Sequence, residues 1–260
     1  MLKNYFKTAL RNLTKQKTLA FINIFGLSVG IACFSLFMLY SINEFSFDSF
    51  HKKASDIYMV LNSDKKANPK GIGGYIYTSM PLGPAMKQEL PGVENYVRYI
   101  QPYETFIKTN NEGRRENISF ADPSFFNVFS FKFKYGNAET ALKDLHSVVI
   151  TEETAKRLFG KTNAIGESLQ IKIDNKFETF IISAIAKDPP SNSSFQFSML
   201  ASFDYFANTA EGKMTADVWG WNSYMTLVHL KSGSTLPNDS KLLADFRHKH
   251  FPKGLGSEGG

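Results

Sequence analysis

From residue 19 to residue 42 the chain reads LAFINIFGLSVGIACFSLFMLYSI, a run without a single charge. At 1.5 Å of rise per residue such a helix spans ~36 Å, against a hydrocarbon core of ~30 Å, so the run predicts a transmembrane helix. A core helix of this length in a water-soluble protein carries a polar stripe, and here none is visible. A secretory signal has an apolar core of only ~7–15 residues and a small-residue cleavage site. Ser41-Ile42-Asn43-Glu44-Phe45 follows instead, so the segment is expected to stay. Gly30-Ile31-Ala32-Cys33 has the outline of a lipidation box, but Phe34, Leu36, Phe37, Met38 and Leu39 continue the run and leave Cys33 in mid-span.

Charge then orients the span. Lys3, Lys7, Arg11, Lys15 and Lys17 all precede it, and no acidic residue occurs before Glu44. Lysine and arginine stay on the cytoplasmic side, so the N-terminus is expected inside the cell and the bulk of the chain outside the cytoplasm. Leu2, Phe6, Ala9 and Leu13 recur at helical spacing beside the basic stripe, which suits a short helix along the inner membrane face. These five charges account for most of the net +6 and leave +1 for the remainder, which argues against a nucleic-acid surface. Within the span, Gly26 and Gly30 form a G-x-x-x-G pair beside Ser28 and Ala32, which would let a second helix approach closely. A featureless anchor could carry the same pair.

Beyond the membrane, runs of β-branched and aromatic residues alternate with Pro, Gly and Asn punctuation, and the mix is α+β. Strands are expected at 57–61, 93–100, 147–150, 195–200 and 224–230. Hairpins are expected at 105–108 with 117–120, around Asn110-Asn111-Glu112-Gly113, and at 169–173 with 177–185, around Asp174-Asn175. Helices are expected at 81–90, 125–129 after an Asp122 cap, 138–145, 152–159 between a Thr151 cap and Gly160, and 239–250. Residues 253–260 have no periodicity and are expected to be disordered.

Little in the chain suggests chemistry. Gly160-Lys161-Thr162 looks like the end of a phosphate loop, but the earlier glycine is replaced by Ala155 and the tripeptide follows a helix rather than preceding one. His51, His146, His229, His248 and His250 are scattered, and no zinc, nucleophile-elbow or paired-cysteine motif occurs. No catalytic, cofactor or metal residue is assigned. Trp219 and Trp221, in Trp219-Gly220-Trp221, are either a contact site on the exterior domain or ordinary core aromatics.

The order of motifs resembles the N-terminal half-module of MacB-like, macrolide-exporter-type ABC transporter permeases with an FtsX-like membrane domain. The resemblance rests on Tyr5-Phe6-Lys7-Thr8-Ala9-Leu10-Arg11-Asn12-Leu13, Gly26-Leu27-Ser28-Val29-Gly30, Met80-Pro81-Leu82-Gly83-Pro84 and Ala121-Asp122-Pro123-Ser124-Phe125-Phe126. It continues through Val149-Ile150-Thr151-Glu152-Glu153-Thr154-Ala155, Leu158-Phe159-Gly160, Ile165-Gly166-Glu167 and Lys187-Asp188-Pro189-Pro190. It implies a cytoplasmic basic leader (1–18), a membrane span (19–42) and a periplasmic core domain (43–252). That domain would hold a porter-like βαβ subdomain with a β-rich insertion near 115–215. It also implies a bacterial inner-membrane location, a separate ABC ATPase subunit and a second permease copy or half. A periplasmic adaptor or lipoprotein cargo would complete the assembly, with no cofactor in this chain. The family's permease has further spans after this domain, so the sequence reads as a fragment of a longer permease or as an independent single-span module. In the second case it would be an envelope binding or sensor protein without an ATPase. An envelope hydrolase is the third and weakest reading.

Overall fold

A computed structural model of the chain describes residues 2–62, 74–109 and 112–251. It divides into two compact units, Met1–Ser49 and Phe50–Gly260. The first holds two helices, α1 (Leu2–Lys15) and α2 (Lys17–Phe45). Among the described residues α2 is the one helix long and apolar enough to cross a membrane, and none of its residues is buried within the protein. Apolar residues ring the helix completely, so no polar face is left to meet water, and a surface of this kind that is not buried in protein suits a bilayer.

The second unit is built on one ten-stranded sheet. Its first region is a split βαβ motif. Strand β2 (Tyr77–Thr78), helix α3 (Leu82–Glu89) and strand β3 (Val93–Thr109) follow in sequence, and both strands pair antiparallel with β10 (Tyr224–Leu230), which lies between them. Strand β1 (Ile57–Met59) extends the same edge along β10. Helix α3 and the last helix, α8 (Ser240–His250), cover one face. There Leu82, Met86 and Leu90 meet Val93, Val228, Leu230 and Phe246.

The second region closes on itself. Strand β3 pairs with β4 (Glu112–Ala121), β4 with β9 (Met199–Ser202), and β9 with β6 (Ser147–Thr151). Strand β6 pairs with β8 (Lys176–Ala186), β8 with β7 (Ser168–Ile173), and β7 returns to β3 at Ile107 and Lys108. Six strands therefore form a barrel. Alternate residues point inward, and Ile107, Ile118, Phe120, Val148, Ile150, Leu169, Ile171, Phe180, Ile182, Met199 and Ala201 fill the interior. Helices α5 (Glu152–Phe159) and α6 (Phe203–Ala207) add Leu158, Phe203 and Phe206 to that cluster. A third cluster lies between the outer wall of the barrel and the other face of the split motif. Helix α4 (Phe125–Val128) supplies Phe125 and Phe126, joined by Phe129, Phe131, Phe195 and Phe197.

Several expectations need correction. Strand β3 is continuous over seventeen residues rather than two strands, and its register on β4 shifts between Ile100 and Tyr103. Pro102 sits at that shift, where a residue without an N–H is tolerated. Residues 138–145 form turns, not a helix. The Asn137 side chain accepts the backbone N–H groups of Glu139 and Thr140, a local bond that competes with helix formation. Strand β9 starts at Met199, because Phe195 and Phe197 turn into the aromatic cluster instead of joining the ladder. Helices α6 and α7 (Ala210–Thr215) were not expected. Turn residues 110 and 111 and the tail 253–260 lie outside the described residues.

Candidate functional site

The second unit begins at Phe50, and its first residues, Phe50-His51-Lys52, are held by side-chain contacts within that unit. The His51 ring is 4% exposed and lies against Phe50, Phe129 and Phe131 at centroid distances of 4.0, 5.1 and 5.2 Å. Its Nδ1 accepts the backbone N–H of Ser130 at 3.0 Å, and the Lys52 backbone N–H donates to the Ser130 hydroxyl at 3.0 Å. Two hydrogen bonds and a desolvated ring thus lock the first residues of the domain to the loop after α4. That loop belongs to the densest aromatic packing in the molecule, in which Phe125 alone meets Phe126, Phe129, Phe131 and Phe195 at 5.0 to 5.5 Å. Such ring pairs contribute ~0.5–1.5 kcal/mol each beyond their buried area, so the grip is on a rigid body.

A second node joins the split motif to the barrel. Arg98 of β3 and Asp122 at the end of β4 are both buried. Asp122 accepts the Arg98 backbone N–H at 2.6 Å, its Nε at 3.0 Å and a terminal guanidinium nitrogen at 2.7 Å. The guanidinium lies 4.1 Å from the centre of the Phe203 ring and donates to the Met80 carbonyl. Burial raises the Asp122 carboxyl above its ordinary value, with the hydrogen bonds and charge of Arg98 pulling the other way. Burial also works against the Arg98 charge, but the bonds it donates to Asp122 and that carboxylate's charge prevail and hold the guanidinium above its usual range. The expected capping role of Asp122 is therefore wrong. Its carboxylate serves Arg98, Ser124 takes the cap position of α4, and only the Asp122 carbonyl accepts from Phe125.

A third contact holds the last helix. Glu89, at the end of α3, accepts His250 Nε2 at 3.0 Å and Lys249 Nζ at 2.8 Å, and these bonds lower its carboxyl from the usual value. Trp219 stacks on the His250 ring at 4.2 Å and meets Phe251 edge-on at 5.2 Å. The two tryptophans of the expected contact site therefore part company: Trp219 packs inward on α8, whereas Trp221 stays 46% exposed, as do Met214 and Val218 at 65% and 43%. Gly26 and Gly30 lie on exposed α2, with open space where a Cβ would stand. Sequence reasoning missed His51 and Arg98. Neither sits in a motif, and their partners are 79 and 24 residues away.

The assembled features are packing nodes and ion pairs, and among the described residues no three His, Cys, Asp or Glu side chains converge as metal ligands. The family of MacB-like periplasmic core domains matches residues 20–244. The chain belongs to this family. It is thus a MacB-like periplasmic domain of the ABC-transporter permease type. Among solved structures, a domain of a putative permease from Porphyromonas gingivalis is similar with a TM-score of 0.63 at 22% identity. That alignment covers 79% of this chain and 88% of that one. The periplasmic region of MacB from Actinobacillus actinomycetemcomitans is similar with a TM-score of 0.53 at 13% identity, over 75% of this chain and 85% of that one. At these identities the likeness is one of fold. No curated protein matches the chain. One N-terminal apolar helix before a periplasmic-type domain fits an inner-membrane protein.

Proposed function

We propose that this chain is the permease component of an ABC transporter whose periplasmic domain relays ATP-driven motion from a separate cytoplasmic ATPase to exported or extracted cargo. The observation that carries the reading is the His51–Ser130 grip, which begins five residues after α2 ends at Phe45 and fastens the chain to the rigid aromatic cluster. A displacement of the helix would reach the domain through this short connection rather than be lost in a slack linker. The leader at 1–18 lies inside the cell, residues 19–42 span the membrane, and residues 43–252 lie in the periplasm. An inserted β-rich subdomain lies at about 115–215, a reading supported by the barrel strands β4 and β6 to β9, which fall largely within that range. Gly26 and Gly30 pack against a second permease copy or half, and Trp221 offers a contact to an adaptor or lipoprotein cargo.

The test is co-purification of the full chain in detergent with each candidate ABC ATPase of the same genome, followed by reconstitution in nanodiscs. A stable complex whose ATP hydrolysis changes the distance between labelled sites on the domain supports the relay. A chain that never retains an ATPase, or a domain that does not respond to ATP, overturns it.

A further inference from the structure

One wall of the barrel is left uncovered by any helix or loop among the described residues, and its side chains are unlike the rest of the domain surface. Strand registers place Arg115 opposite Phe106, and Lys172 opposite Phe177. The pairing of Ile107 with Ile171 and of Lys108 with Gln170 brings Lys172 beside Phe106 across the β3–β7 ladder. Across four neighbouring strands the outward residues therefore run cation, aromatic, cation, aromatic. Lys108, one step along, lays its Nζ 4.0 Å from the centre of the Phe177 ring, and the Arg115 guanidinium lies 4.9 Å from that of Phe106. Phe106, Phe177 and Ile181 remain 44%, 38% and 45% exposed.

Charge says what such a wall would accept. Three cations face one carboxylate, Glu104, which bonds Arg115 at 2.7 Å. The local excess is set in a chain that is nearly neutral after its basic leader. Ring faces hold Lys108 and Arg115 in place instead of leaving them to sweep solvent, so less side-chain freedom is lost when an anion arrives. Exposed phenyl edges and Ile181 offer apolar area beside them. Three cations, one of them paired with Glu104, are too few for a nucleic-acid backbone, which needs a continuous basic track. We propose that this wall docks an acidic segment of a partner protein that bears apolar side chains between its carboxylates. Arg115 and Lys172, two strands apart, lie ~10 Å from each other, the spacing of carboxylates two helical turns apart, ~11 Å.

The probe is a fluorescein-labelled amphipathic peptide, apolar on one face with glutamates two turns apart, titrated by anisotropy into the full chain in detergent. Saturable binding is expected, weakened about tenfold by the double variant Lys108→Glu/Lys172→Glu, by high salt, and by glutamine in place of the peptide's glutamates. An unchanged melting temperature of the variant confirms that its fold is intact. Absence of saturable binding, or equal binding by the variant, overturns the proposal. So does binding of the wild-type chain to phosphatidylglycerol vesicles through Lys108 and Lys172 without binding of the peptide, since the wall would then be a lipid surface. These outcomes do not depend on ATPase association, which tests the transport reading separately.

Discussion

Arg98 and Asp122 place opposite charges in the interior at a point where three chain segments meet, and the sign of a mutation there depends on which partner is left behind. Asp122→Asn leaves the guanidinium buried without its counter-charge and should cost ~3–5 kcal/mol, read as a fall in the unfolding midpoint of the detergent-solubilised chain. Replacing both partners, Arg98→Met with Asp122→Leu, should recover much of that loss, because the desolvation cost disappears with the charges. His229 sets a pH dependence. It is buried in β10 with Nδ1 3.3 Å from Glu94, and burial, then Lys53, lower its pKa from 6.5, with Glu94 opposing. The unfolded histidine takes a proton more readily, so this stabilisation is complete above pH 6.5 and declines as the pH falls through the lower folded value. Melting temperature should drop on that acid side, and His229→Gln should reduce the slope. None of this was legible locally. A reader of Asp122-Pro123-Ser124 sees a helix cap, because the residue that claims the carboxylate arrives through the β3–β4 pairing.

At the scale of elements, what was legible is what is decided by neighbours in sequence. Thr151 caps α5 by accepting the Thr154 N–H, and Gly160 closes it at φ 67, where a side chain would be strained. Thr151→Ala should therefore lower stability by about 1 kcal/mol in urea unfolding, with the helix shortened at its first turn. Asp174 and Asn175 take φ of 49° and 63°, the left-handed pair that a two-residue hairpin turn needs. Strand β10 runs from Tyr224 to Leu230 as expected, with every residue of it buried. The failures are tertiary. Residues 195–198 have strand composition but lose to the aromatic cluster, and the closing pair of the barrel, β3 with β7, joins residues that no local pattern links. Burying Phe125 amid six other rings should make Phe125→Ala cost ~3–5 kcal/mol and loosen the Ser130 loop that holds His51.

At the scale of the whole molecule, the apolar run makes a claim that charge must complete: hydropathy selects a span, and only the basic residues before it choose a direction. The leader holds five cations and no carboxylate, while the segment after the span mixes Glu44, Asp48 and Asp56 with Lys52 and Lys53. Reversing the orientation would carry all five cations across the bilayer, so one topology should dominate. The single cysteine, Cys33, lies within the span, which makes the chain suited to labelling once Cys33→Ser is introduced. In intact cells a membrane-impermeant maleimide should modify Lys53→Cys after the outer membrane is permeabilised. Lys7→Cys should react only after lysis. Equal labelling of the two in intact cells, or the reverse order, would show the basic end outside. A domain facing the cytoplasm could not carry motion from a cytoplasmic ATPase to cargo beyond the membrane, whatever its fold.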